Sequence, residues 1–127
     1  MAAEGSKKVL IVDGDGETGE AVSGALRQRG FEPMYRRRGT GLLKLVKDEK
    51  PATVVLELAL PDVDGQAVLK ELKDDWDAKK VPIVVYSTYT SRLNATNRQK
   101  VEAVLTKPVG MDELVHQVEL AASKKQD

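Results

Sequence analysis

The chain has 127 residues, 20 of them basic and 20 acidic, so its formal net charge is zero; it contains no cysteine and a single histidine, His116. That length fits one domain burying roughly two thirds of the surface its unfolded chain exposes. The balanced charge argues against a nucleic-acid-binding face, and the cysteine count excludes disulfides, thiolate metal sites and a cysteine nucleophile, so the expected partner is a protein. The start of the chain, Met1 to Ser6, lacks the basic and apolar regions of a signal peptide. No apolar run approaches the roughly 20 residues of a membrane span, and the expectation is a cytoplasmic protein that makes no use of a membrane.

Short β-rich runs alternate with segments of helical periodicity five times. Strands are expected at 8–12, 31–35, 53–58, 82–87 and 103–106. After the first, Ala21, Val22, Ala25 and Leu26 form the apolar stripe of a helix that ends at Gly30, a residue suited to the position just past a helix. Gly24 inside that stripe suggests close helix packing. Leu42, Leu45 and Val46 mark a second helix, stopped by Pro51. Val68, Leu72 and Trp76 fall at i, i+4 and i+8 and predict one buried face on a third helix, with Trp76 packed inside. The fourth, about Ser91 to Lys100, has little apolar content beyond Leu93 and Ala95 and is expected to be short and mobile. The fifth begins near Gly110, carries Asp112 and Glu113 where the helix dipole favours anions, and buries Leu114, Val115 and Val118. Such βα alternation predicts a parallel sheet covered by helices on both faces.

Four of the strands end on a polar group. Asp13 follows Val9-Leu10-Ile11-Val12, Glu57 follows Val54-Val55-Leu56, Ser87 follows Ile83-Val84-Val85-Tyr86, and Lys107 follows Val104-Leu105-Thr106. In open α/β sheets ligand chemistry collects at the carboxyl ends of the strands, so the four groups are expected to share one pocket. Two acids, a hydroxyl and a lysine suit phosphate and metal chemistry.

The opening Val9-Leu10-Ile11-Val12-Asp13, the block Leu60-Pro61-Asp62-Val63-Asp64-Gly65 and the pair Lys107-Pro108 resemble, in order and spacing, the receiver domain of two-component response regulators of the single-domain chemotaxis type. The resemblance runs from Lys8 to about Ala122. It implies a flavodoxin-like (βα)5 fold with a five-stranded parallel sheet in the order 2-1-3-4-5, filling residues 1–127 as a single domain with flexible tails at 1–6 and 123–127. In that family the third strand presents an aspartate that accepts a phosphoryl group from a histidine kinase, and here the position is Glu57. The family's two adjacent magnesium-binding acids read Asp13-Gly14, so one ligand is missing unless Asp15 swings in. Its hydroxyl is Ser87 and its phosphoryl-contacting lysine is Lys107, whereas its aromatic switch position is Val104.

Phosphoryl transfer depends on in-line placement and charge stabilisation, and misplacing the acceptor by about 1 Å can cost on the order of 100-fold in rate. Glutamate reaches one methylene too far. Magnesium requires near-octahedral geometry, so any ion held by Asp13, Asp15 and Glu57 would be held weakly, and no metal or other cofactor is expected. Glu57 and Lys107, if they converge, can pair directly. The expected function is a phosphorylation-independent pseudo-receiver, not an enzyme. Its pocket is Asp13, Gly14, Asp15, Glu57, Ser87 and Lys107, and its signalling partner, a histidine kinase or regulator domain, docks on the fourth helix, fifth strand and fifth helix. Two alternatives are a conventional regulator with Glu57 as a constitutive phosphomimic, and a haloacid-dehalogenase-type phosphatase built on Asp13-Gly14-Asp15. Arg36-Arg37-Arg38 reads as a solvated run that blunts an edge strand, and His116 as a surface residue.

Overall fold

In the computed structural model, which describes residues 6–124, five parallel strands form one sheet in the order β2-β1-β3-β4-β5. The strands are β1 (Lys8–Val12), β2 (Glu32–Arg36), β3 (Thr53–Leu56), β4 (Ile83–Ser87) and β5 (Ala103–Thr106). The helices are α1 (Gly16–Gln28), α2 (Leu42–Glu49), α3 (Gly65–Asp74), α4 (Ala95–Arg98) and α5 (Met111–Ala122). Side chains alternate across the sheet with period two, and each set meets different helices. Leu10, Val12, Val54, Leu56, Ile83 and Val85 pack with α2 and α3 through Leu42, Val46, Val68, Leu69 and Leu72. Val9, Ile11, Val55, Val84 and Tyr86 pack with α1 and α5 through Val22, Leu26, Leu114, Val115 and Val118. No helix among the described residues is long and apolar enough to cross a membrane.

Element ends follow from local chemistry. Phe31 closes the end of α1 by donating its N–H to the Leu26 carbonyl, so β2 begins one residue later than its apolar pattern suggests. Gly30 takes the left-handed conformation just past the helix, at φ +88°. Pro82 has no N–H to give to a ladder, and β4 begins at Ile83. The third strand stops at Leu56 rather than at 58, because the Glu57 side chain folds back onto the Ala59 N–H. The fifth helix starts after Gly110, as its pattern predicts. Of the two expected tails, residues 1–5 and 125–127 lie outside the described residues; Ser6 donates its hydroxyl to the Lys50 carbonyl, and Ser123 caps α5.

Two sequence expectations fail, and the fourth helix is short as expected but narrower than its expected bounds. Trp76 is not on the buried face: α3 ends at Asp74, Asp75 turns extended, and the indole is 73% exposed with the Lys79 ammonium 4.2 Å from its ring centre. The fourth helix is shorter than 91–100, a 3-10 turn at Thr90–Arg92 followed by the single turn of α4. Gln66 ties this region down, donating to the Arg92 carbonyl and accepting from the Asn94 N–H and the Asn97 amide. Gly24 packs against nothing: a Cβ there meets open space.

The close approach is at Gly19 instead. A Cβ there would lie 2.2 Å from Cζ of the Tyr35 ring, whose hydroxyl is pinned by the carbonyls of Asp13 and Asp15. Gly19→Ala is therefore expected to destabilise by about 1–3 kcal/mol, as overpacking does. Gly24→Ala, on an open helix surface, should stabilise by up to about 1 kcal/mol. Urea unfolding midpoints of the two variants check both signs.

Candidate functional site

The parallel ladder carries the site residues past the strand ends. Asp13 donates its N–H to Arg36 O, Glu57 to Val12 O and Lys107 to Ser87 O, each within about 0.1 Å of 3.0 Å. These bonds place Asp13, Glu57, Ser87 and Lys107 side by side at the carboxyl edge of the sheet.

There the Lys107 ammonium lies between the two acids, 2.7 Å from Asp13 Oδ2 and 2.7 Å from Glu57 Oε1. Every other carboxylate oxygen in the cluster is also engaged. Asp13 Oδ1 accepts the Asp15 N–H, and Glu57 Oε2 accepts the Ala59 N–H and a short hydrogen bond from the Ser87 hydroxyl. The Ser87 oxygen in turn accepts the Tyr89 N–H. Asp13, Glu57 and Ser87 are buried, at 4%, 6% and 0% exposure, and Lys107 is nearly so. At 2.7 Å and an effective dielectric near 20, each contact is worth about 6 kcal/mol before desolvation, which costs several kcal/mol per buried ion. The pairing therefore does little for net stability, but loss of any one partner strands a buried charge.

Burial pushes the Glu57 carboxyl up, yet hydrogen bonds from Lys107, Ser87 and the Ala59 N–H outweigh it and hold the group below its ordinary 4.5. Burial likewise lowers Lys107, and its bonds to Asp13 and Glu57 more than restore it, to above 10.5.

The loops around the cluster are locked to each other. Tyr35 donates its hydroxyl hydrogen to the Asp13 and Asp15 carbonyls, and Arg37 places Nε and Nη2 on the Gly14 carbonyl at 3.2 and 2.8 Å. Asp62 accepts from the N–H groups of Gly39 and Thr40 and from the Thr40 hydroxyl, which hold its carboxyl at about 2. Asp64 caps α3 by accepting the Gln66 N–H, and at Gly65 a Cβ would lie 2.5 Å from Leu58 Cα. Each polar residue of the 60–65 block thus has a backbone to hold. Tyr35, Asp62 and Gln66 escaped sequence reasoning because their partners are 20 or more residues away in the chain. Only the Asp62 position lay in a motif that could have drawn attention to it.

Asp15 does not join the site. It precedes α1 and accepts the Thr18 hydroxyl at 2.6 Å, a bond that lowers its carboxyl. Gly14 supplies no ligand, and a Cβ there would stand 2.9 Å from Pro61 Cδ, so a larger residue would require that ring to move. Among the described residues no group of three acidic, histidine or cysteine side chains is placed to share a metal ion. The donor set does not fit the magnesium that receiver domains hold: a cation already bridges the two buried acids, and the second adjacent acid is absent. Val104, half-buried on β5, packs an isopropyl group against the α2–α3 core where the family carries an aromatic ring. His116 is exposed on α5.

A five-stranded parallel sheet with acids, a hydroxyl and a lysine gathered at its carboxyl edge defines the architecture of a phosphorelay signalling domain. Residues 9–119 match the response regulator receiver domain, and the chain belongs to that family. The polar-differentiation response regulator DivK of Brucella anthropi is 23% identical over 114 residues, covering 88% of this chain and 93% of DivK. A sensor protein from Polaromonas superposes with a TM-score of 0.84 at 23% identity, over 93% of this chain and 97% of its own. The receiver domain of a sensor histidine kinase from Pseudomonas aeruginosa, solved with a magnesium ion coordinated in its active-site cleft, gives 0.82 at 16% identity, over 94% and 100%. Family membership removes the basis of the phosphatase alternative, whose second acid, Asp15, faces Thr18 instead of the site.

Two outcomes follow from the buried cluster. Lys107→Met should lose about 3–5 kcal/mol, the usual consequence of breaking a buried pair from one side, measured by urea unfolding at neutral pH. Because Glu57 is lowered on folding, its contribution is complete above 4.5 and drains away as pH falls through the lower folded value. Lys107, raised on folding, contributes fully below 10.5 and loses that contribution as pH rises through its folded value. Glu57→Gln should flatten the acid limb of the stability–pH curve, and an unchanged limb would assign it to other groups.

Proposed function

We propose that this receiver domain works without phosphoryl transfer, as a non-catalytic protein-interaction module in two-component signalling. The observation that carries the reading is the Lys107 ammonium seated between Asp13 and Glu57, where a receiver would bring a cation and a phosphoryl group together. Glu57 stands at the phosphoacceptor position with both oxygens occupied, one by Lys107 and the other by Ser87 and the Ala59 N–H. A carboxylate so engaged and one methylene longer than aspartate lacks the in-line placement that phosphoryl transfer requires. The 127 residues act as one receiver unit in the cytoplasm and need no cofactor. Their partner is a histidine kinase or another regulator domain, engaged through α4, β5 and α5. Val104 has no ring with which to relay the state of the site to that surface.

A second reading has one observation in its favour. Ser87 and Lys107 contact the Glu57 carboxylate as the family's hydroxyl and lysine contact a phosphoryl group, so Glu57 could act as a permanent phosphomimic. The readings separate in backbone amide spectra of Glu57→Gln: a phosphomimic predicts shifts across α4, β5 and α5, whereas a fixed module predicts shifts confined to the neighbours of residue 57.

The leading reading is tested by incubating the protein with acetyl phosphate and magnesium and measuring its intact mass. No change is expected. A gain of one phosphoryl group mapped to Glu57 would overturn it.

A further inference from the structure

Beside β2, at the edge of the sheet, lies a surface cavity of about 480 Å³ that the carboxylate site does not use. Leu45 of α2, half-buried, gives it an apolar wall, and Arg36, Arg37, Arg38 and Lys44 surround it. We propose that this groove binds an acidic segment of a partner protein, one in which carboxylates flank an apolar side chain. The assignment goes beyond the pseudo-receiver reading and does not depend on the chemistry of Glu57.

Charge carries the first step. In a chain whose charges balance overall, three consecutive arginines border one cavity, and none of them forms an ion pair among the described residues. Arg36 reaches the Tyr35 carbonyl and Arg37 the Gly14 carbonyl, while Lys44 pairs with Asp48, the one acid lining the groove. Guanidinium groups take carboxylates through paired hydrogen bonds, so Arg36 and Arg38 suit acidic side chains, while the half-buried Leu45 suits an apolar residue between them.

Rigidity carries the second step. The loop between β2 and α2 is clamped by Asp62 through Gly39 and Thr40 and by Arg37 through Gly14, so the groove's backbone is formed before anything binds and the ordering cost falls on the exposed Arg36 and Arg38 side chains. The volume lies within the usual range of binding cavities, roughly 300–1,000 Å³. Among the described residues no aromatic ring lines it for a nucleotide base to stack on, which favours a peptide over a nucleotide.

The test uses the full chain and a fluorescently labelled synthetic peptide alternating Glu and Leu, with binding followed by anisotropy. Binding is expected at low ionic strength and should weaken as salt is added. In Arg36→Glu/Arg38→Glu, where both side chains are exposed and Arg37 keeps its structural bonds, affinity should fall about tenfold or more, as charge reversal at a complementary interface does. Circular dichroism of the double variant verifies that it is folded, and Arg36→Gln/Arg38→Gln should show a smaller loss. A peptide with Gln in place of Glu should bind weakly. The proposal is overturned by an absence of wild-type binding, by full affinity in the folded double variant, or by ATP displacing the peptide and losing its own binding in that variant.

Discussion

A single ammonium group sets the character of this molecule. Lys107 closes β5 and reaches across the carboxyl edge of the sheet to two buried acids delivered by β1 and β3, so three strands converge on one ionic cluster. Two carboxylates brought together this deep in the fold repel each other, and the ammonium between them offsets that repulsion. Their remaining oxygens are met by backbone N–H groups and by Ser87.

Around that point the structure is built to keep the loops still. Tyr35 and Arg37 hold the carbonyls of Asp13, Gly14 and Asp15, Asp62 holds the backbone of Gly39 and Thr40, and Gln66 holds the abbreviated fourth helix. Most of these anchors join a side chain to a distant backbone, the class of contact that fixes loop geometry most directly. The glycines at 14, 19 and 65 sit where neighbouring groups leave no space for a Cβ.

Much of this was legible in the residues themselves. The apolar runs ending in Asp13, Glu57, Ser87 and Lys107 define both the sheet and its functional edge, because strand-end polarity is a local signal, and family resemblance supplies the strand order. Periodicity failed at Trp76 for a local reason of another kind: the i, i+4, i+8 spacing continues past the true end of α3, and spacing alone does not register where a helix stops. Gly24 and Gly19 differ in nothing that composition records. Only the ring of Tyr35, brought over from β2, distinguishes them. Likewise the outward turn of Asp15 depends on Thr18, a helix-start contact that competes with the pocket for the same carboxylate.

The lysine bridge has a last consequence in competition. A free divalent ion must be drawn from bulk solution and gives up its entropy on arrival, whereas the Lys107 ammonium is fastened to the polypeptide and cannot diffuse away. Its local abundance at the two acids is fixed by covalent connectivity, so a divalent ion entering there would have to displace a tethered competitor.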